Sequence, residues 1–466
     1  MIDSSDALAA LWLATGWDTR SLEKVILTGR EPILRSSFGI GVLAQASIAA
    51  AALAAAELWR ARTGRSQSVS VDMRHAAEEF RSERRFLLGE EAPRGYRDPL
   101  AGIYACSDSN WARPHLTFPQ HREGILRMLG CDPHTTDKQI LTNAFSRCDA
   151  IELESRASTS GLPLSALRTF EQWDSHPQAS VVSTTPLVAI ERIGNAPRLA
   201  RPVDAARPLS GVRVLELDRI IAGPVCGRSL AAHGADVLAV SAAHLPSVRQ
   251  LAIDTGRGKL SCYLDLREDS GRSTLRSLIT TADVFVQAYR PGALAGLGFG
   301  ADEVAALRPG IVYAELSAWG WSGPWAKRRG YDSLVQTATG FNHAEAEAAG
   351  QASPVELPVQ ALDHASGYLL ALGTMRALAR QSEEGGSWRV RVCLARTGHW
   401  LRSFGRQPPV QALVEPTEGE VASMSELRPS GYGEMRALRH AAVLSETPAG
   451  WDRPTVPLGT SPASWP

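Results

Sequence analysis

PLSGVRVLELDRIIAGPVCGRSLAAHGADVLAV, residues 208–240, decides the fold class. Its apolar run at about 212–217 is short, rich in Val and Leu, and bounded by turn residues, which predicts a buried strand. GPVCGRSLAAHG follows as a helix, and ADVLAV reads as a second strand. The alternation continues downstream. KLSCYLDL is a strand, REDSGRSTLRSLITTA a helix with apolar residues at helical spacing, DVFVQAY a strand, ADEVAAL a short helix and IVYAEL a strand. Strands alternating with helices of these lengths predict an α/β chain built on a doubly wound, parallel, Rossmann-like sheet domain, accompanied by a smaller α+β domain.

The sheet domain is expected over 209–404. Upstream, 96–194 is mixed: HREGILRMLG and TDKQILTNAFSRCDAIELESRAST read as helical, and PLVAIERIG (186–194) as a strand. NAPRLARPVDAARP (195–208) is rich in Pro, Arg and Ala without periodicity and reads as a linker. The tail, 405–466, is rich in Pro, Gly and Ser and is expected to be ordered only by lying across another surface. Residues 1–95 hold an internal echo. AAAELWRARTGRSQSVSVDM (54–73) repeats the pattern of GTMRALARQSEEGGSWRVRVCL (373–394): a helix, a charged turn with Gly, then an alternating strand. At one constant offset Val69 falls on Val390, Val71 on Val392, and Val42 on Asp363. The helix–strand unit is present twice, and only the second copy carries the carboxylate.

Composition narrows the function. The chain has 466 residues, 44% of them hydrophobic, and 49 basic side chains balance 49 acidic ones. Without a basic excess or a polybasic block, neither nucleic acid nor a membrane surface is expected as a partner. The six cysteines are scattered, with no CxxC and no zinc spacing, so no metal is expected and the thiols read as reduced and cytoplasmic. Residues 39–59 are long and apolar, but Ala-rich and interrupted by Gln45 and Ser47, which reads as a buried helix of a soluble protein. The acidic N-terminus does not resemble a signal peptide.

Several groups could carry chemistry. Gly223, Gly227 and Gly234 do not fit the GxGxxG fingerprint; they either leave a helix N-terminus open to an anion or serve tight packing. Arg257 and Lys259, between glycines and before a strand, either suit a phosphate or diphosphate or form a solvated turn. Tyr289 and Arg290 stand at the C-terminal end of a strand, where open α/β sheets bind ligands, or in an ordinary turn. KRRGYDSLVQTATG (327–340) sets three cations before Tyr331 and Asp332, and Asp332 could be an N-cap. Asp363 opens a helical run. Capping accounts for an acid there. His364 beside it points about 100° away, so the two rarely form a dyad. With no GxSxG elbow, a serine triad is not expected.

In order along the chain these segments resemble the family III CoA-transferases, a group that includes formyl-CoA transferase, carnitine CoA-transferase-like proteins and the α-methylacyl-CoA racemases. The resemblance runs from PLSGVRVLELDRIIAGP through GRGKLSCYLDL, ADVFVQAYRPGALAGLGFG and IVYAELSAWGWSGPWAKRRGYDSLVQTATG to ALDHASGYLLALGTMRALA, about 208–394. The first half is similar to later parts of the same family, as in a rearranged fusion, and the family's interlocked dimers imply a homodimer or an intrachain pseudo-dimer. The resemblance implies transfer of coenzyme A from an acyl-CoA donor to a small carboxylic acid acceptor, with Asp363 as nucleophile through an aspartyl mixed anhydride and an aspartyl–CoA thioester. The helix N-terminus is expected to keep that carboxylate ionised. It further implies CoA binding by Ile220, Gly223, Arg257, Lys259, Tyr289, Arg290, Arg329 and Tyr331. The racemases carry a His in a GHD motif where this chain has Tyr331; a tyrosine is a poor base at neutral pH, which favours transfer. A catalytically quiet CoA-binding or scaffolding member, or an acyl-CoA racemase, is the alternative. The chain departs from the family at SAAH (241–244), Ala288 and Gly296.

Overall fold

A seven-stranded sheet runs in the order Lys259–Tyr263, Asp236–Ser241, Arg213–Leu217, Val284–Gln287, Val312–Ser317, Ser387–Cys393, Ala189–Gly194. The first six strands are parallel, and Ala189–Gly194 joins the edge antiparallel to Ser387–Cys393. The central strands alternate nothing on their faces: Val312–Ser317 is buried at every position, because helices cover both sides. This is the doubly wound sheet expected from the alternating pattern. The computed structural model describes all residues except 1, 94, 96, 201, 202, 204 and 409–412, so part of the expected linker at 195–208 lies outside the described residues.

Beside it stands a smaller antiparallel sheet, Tyr104–Ala105, Trp111–Pro114 and Leu164–Ala166, packed on helices Pro119–Met128, Lys138–Phe145 and Ala150–Thr159. It has its own core, in which Leu100, Ile125, Phe145 and Leu153 are buried. The helical run read over 136–159 is two helices, because Asp149 accepts from the backbone N–H groups of Ile151 and Glu152 and starts a new one.

The internal echo is structural. Helices Ile40–Thr63 and Ala361–Glu384 both have 24 residues and start at the offset that aligns Val69 with Val390. Their caps match: Gly39 has φ −72° and ψ 67°, Gln360 φ −78° and ψ 65°. The two helices lie against each other in the main core. The apolar segment 39–59 is thus a buried helix, its alanines 49 to 56 at most 3% exposed, and small side chains let the two backbones approach. Val25 pairs with Val69 as Ala314 pairs with Val390, and Leu27 with Val71 as Leu316 with Val392. The N-terminal unit therefore repeats one edge of the large sheet and stops there, as a three-stranded sheet.

The outer strand of each unit comes from a distant part of the chain. Ala189–Gly194, which follows the N-terminal unit in sequence, completes the large sheet. Ala442–Leu444, in the tail, pairs antiparallel with Val69–Asp72 and completes the small one. The exchange interlocks the two units. The tail also forms a hairpin, Ser425–Ser430 with Gly433–Leu438, and Ser461 binds the outer edge of Lys259–Tyr263. Its Pro, Gly and Ser content hid these strands.

Where the units meet, charges are buried. Arg228 and Asp254, each 1% exposed, pair at 2.7 Å. Ser82 from the N-terminal unit donates to Asp254 at 2.7 Å and accepts from Arg228 at 2.9 Å. Arg257 donates to the other oxygen of Asp254 at 2.9 Å and to the carbonyl of Leu438 in the tail at 2.6 Å. Tyr368 on the second long helix donates to Glu79 at 2.5 Å. Removing one partner of such a network leaves the others charged and dry. Asp254→Ala is expected to lower stability by about 3–5 kcal/mol, read as the shift of the guanidinium unfolding midpoint.

Candidate active site

Asp363 is the third residue of helix Ala361–Glu384. Its own N–H donates to Asp332 Oδ2 at 2.9 Å, and Gln336 donates to the other oxygen of Asp332. Asp332 is fully buried, and burial pushes its carboxyl up to about 6. Asp363 is 8% exposed. Burial, then Asp332, then Glu83 raise its carboxyl well above the usual range. The helix N-terminus does not lower this carboxyl as expected; desolvation, then two neighbouring carboxylates, outweigh the dipole and raise it.

Asp363 opens into a cleft of ≈ 300 Å³ at the C-terminal ends of the parallel strands. The cleft brings together Ile220, Gly223, Tyr289, Arg290, Arg329 and Tyr331 with Asp363. Arg290 is exposed at its rim, and Arg329 donates to the carbonyl of Gly161 at 2.8 Å, tying the cleft to the smaller domain. Ile220 has φ +79°, rare for a β-branched residue and costing about 1–3 kcal/mol, so the surrounding structure must hold it there. Tyr331 is pushed up to about 12 by burial and stays protonated at neutral pH.

Two expected CoA contacts need correction. Lys259 is 3% exposed and spends its three donors on Glu216 Oε1 and Oε2, both at 2.7 Å, and on the carbonyl of Pro224 at 2.8 Å. Arg257 is 7% exposed, bound in the Asp254 network and stacked 4.1 Å from the centre of the Trp451 ring. Neither lines the cleft of Asp363. Turning Lys259 toward a diphosphate would strand the buried Glu216, and turning Arg257 would take one of the two arginines from Asp254. Gly223 also serves packing, since a Cβ there would lie 2.2 Å from Asp218 Oδ2.

Other residues of the site carried no local signal. Phe118, from the smaller domain, lines the cleft, and Arg219 bridges it to Tyr289, with ring-centre distances of 4.9 and 5.7 Å. His115 stacks on Tyr331 at 3.6 Å with the rings 4° from parallel. Burial lowers His115 to about 3 and His121 to about 4, so both imidazoles are neutral around the cleft. Arg219 lies within the DRIIAGP motif and could have been found there; Phe118 and His115 could not.

The N-terminal unit holds a counterpart without the nucleophile. Glu31 Oε1 accepts from the N–H groups of Gly41 and Val42 at 2.6 and 3.2 Å, as Asp332 does from Asp363. Gly29-Arg30-Glu31 stands where Gly330-Tyr331-Asp332 stands in the second unit. Val42 replaces the carboxylate, and Ile33 and Met73 fill the space beside Gly41. Among the described residues of these two helix mouths, only the second carries a carboxyl group at this position.

Comparison with known proteins gives the family. The family described as CoA-transferase family III matches residues 209–455, more than half of the chain. The acetyl-coenzyme A transferase nodX of Hypoxylon pulicicidum is 37% identical over 209 residues, 44% of this chain and 35% of that protein. The probable fatty acyl-CoA transferase Rv3272 of Mycobacterium tuberculosis is 33% identical over 202 residues, 41% of this chain and 51% of that protein. The succinate–glutarate CoA-transferase of Agrobacterium fabrum is 32% identical, covering 40% and 51%. The chain thus spans between about a third and a half of these relatives. A crystal structure of Rv3272 aligns with a TM-score of 0.40 at 30% identity, over 43% of this chain and 59% of that one.

The raised carboxyl of Asp332 fixes a pH dependence. Its protonated form is favoured in the folded chain, so the stability it contributes is full below pH ~4 and is lost as pH rises through about 6. Asp332→Asn is expected to abolish this slope, so that the variant gains up to ~3 kcal/mol on wild type across that window, measured by guanidinium unfolding at a series of pH values.

Proposed function

The chain belongs to the family III CoA-transferases, and from that premise we propose that it moves coenzyme A between carboxylic acids through Asp363. The observation that carries the reading is one carboxyl group, buried and made basic, at the mouth of a long helix and open to a cleft rimmed with arginines. A basic carboxylate is the stronger nucleophile once ionised. Its oxygen attacks the thioester carbonyl of an acyl-CoA, the C–S bond breaks, and CoA leaves as thiolate while the acyl group stays on Asp363 as a mixed anhydride. The thiolate attacks the aspartyl carbonyl and releases the first acid, giving an aspartyl–CoA thioester. The acceptor carboxylate attacks that thioester and forms a mixed anhydride again, and the thiolate then takes the new acyl group. One exchange becomes a series of easier ones.

In this reading the CoA nucleotide lies in the apolar recess of ≈ 180 Å³ that adjoins the cleft at Leu245, Tyr289 and Ala293. Arg290 and Arg329 are the cations available to its phosphates, in place of Arg257 and Lys259. Tyr331, protonated at neutral pH, does not supply the base that α-proton exchange needs, which supports transfer over racemisation. The interlocked units support a further reading, that one polypeptide makes both sides of the site and works as an intrachain pseudo-dimer.

Incubation with a panel of acyl-CoAs, quenched with hydroxylamine, is expected to modify Asp363, mapped by peptide mass. Asp363→Asn is expected to lose the label and to lower transfer at least ~10³-fold. Absence of label with every acyl-CoA, together with no CoA binding, would mark a catalytically quiet member.

A further inference from the structure

A line of contacts runs along the cleft from the helix mouth of Asp363 to the recess. Tyr331 directly precedes Asp332, which accepts from the backbone N–H of Asp363 at 2.9 Å. The ring centre of Phe118 lies 6.3 Å from that of Tyr331. The Arg219 guanidinium stands over Phe118 at 4.9 Å and over Tyr289 at 5.7 Å. All four residues line the cleft, and Tyr289 lines the recess as well. Separate parts of the chain build this wall. Phe118, 1% exposed, comes from the smaller domain, just before helix Pro119–Met128. Arg219 stands beyond the end of strand Arg213–Leu217 and is followed by the strained Ile220, and Tyr289 stands beyond the end of Val284–Gln287.

Arg219 is placed to donate. It is half-buried, and its Nη1 donates to the carbonyl of Pro246 at 3.1 Å. Among the described residues it meets no carboxylate, and none of its nitrogens is sealed away without a partner. Contact with a ring face uses no N–H group, so most of its donors stay available to the cleft. We propose that Arg219, held in place by Phe118 of the smaller domain, binds the amide carbonyls of the pantetheine arm of CoA. The proposal rests on the reading that puts the nucleotide in the recess and the thioester at Asp363. The arm then has to pass along the wall between them. It is uncharged, with amide carbonyls as its acceptors, and a guanidinium without a carboxylate partner suits those carbonyls. The phosphates belong to the nucleotide end, with Arg290 and Arg329. Phe118 is a positioning residue in this arrangement, since its ring fixes the guanidinium without consuming a donor.

The test is calorimetric titration of the full chain with two ligands: CoA, and adenosine 3′-phosphate 5′-diphosphate, which is CoA without the arm. Arg219→Met keeps the length of the side chain and removes its donors. It is expected to weaken CoA by about 10–100-fold while the armless nucleotide changes less than about twofold. Phe118→Leu is expected to move the same ratio in the same direction, by about threefold or more. Equal weakening of both ligands would put Arg219 on a phosphate and overturn the proposal, as would unchanged CoA binding in folded Arg219→Met. If that variant does not fold, Arg219→Lys, which keeps the charge and loses the planar fork, is read by the same ratio, and no loss specific to CoA overturns the proposal. Wild type that binds neither ligand overturns it together with the placement of the nucleotide. Wild type that shows the expected ratios but never acylates Asp363 would sink the transfer reading and leave this one standing.

Discussion

Asp254 receives two arginines and a serine in a place no water reaches. Arg228, Arg257 and Asp254 itself all belong to the large-sheet unit, Ser82 comes from the N-terminal unit, and Arg257 carries the contact on to the tail. These charges are costly to bury, and the other parts of the chain complete their hydrogen bonds: packed any other way, Asp254 would lose Ser82 and Arg257 the carbonyl of Leu438. The contact ties the N-terminal unit and the tail to the large sheet.

The resulting molecule is asymmetric by content and symmetric by frame. Two long helices with matching caps lie side by side, each followed by a strand, and each strand is completed by a segment from outside its own unit. One helix mouth carries Asp363 and opens to a cleft. The other carries Val42 and is filled by Ile33 and Met73. The first unit lends surface to the second: its turn sets Glu83 against His364, while the smaller domain places Phe118 along the cleft and stacks His115 on Tyr331.

Much of this was legible in the sequence, for physical reasons that also mark its limits. Runs such as VRVLEL and IVYAEL announce buried strands because nothing else suits short apolar segments between turns. The echo of Val69 and Val71 in Val390 and Val392 announced the repeated unit. Asp363 was legible through the motif around it. Arg257 and Lys259 were not, since a cation between glycines looks the same whether it awaits a phosphate or a buried carboxylate. Lys259 meets Glu216 across the intervening strand Asp236–Ser241, and Arg257 meets a carboxylate only three residues away, which a charged turn also provides. The upward shift of the Asp363 carboxyl escaped as well, because it comes first from burial and then from Asp332, which only the fold brings against the helix mouth.

The strand Ala442–Leu444 gives the chain a history in time. During synthesis the N-terminal unit emerges first, with a long apolar helix and a strand whose outer partner is more than three hundred residues downstream. Until that partner arrives the strand Val69–Asp72 has a bare edge, and until Ala361–Glu384 arrives one face of the helix is uncovered. Vectorial folding, in which each domain closes as it leaves the ribosome, is closed to this half of the molecule. It must wait for the far end of the chain, kept soluble meanwhile by its alanines and by whatever holds nascent chains apart.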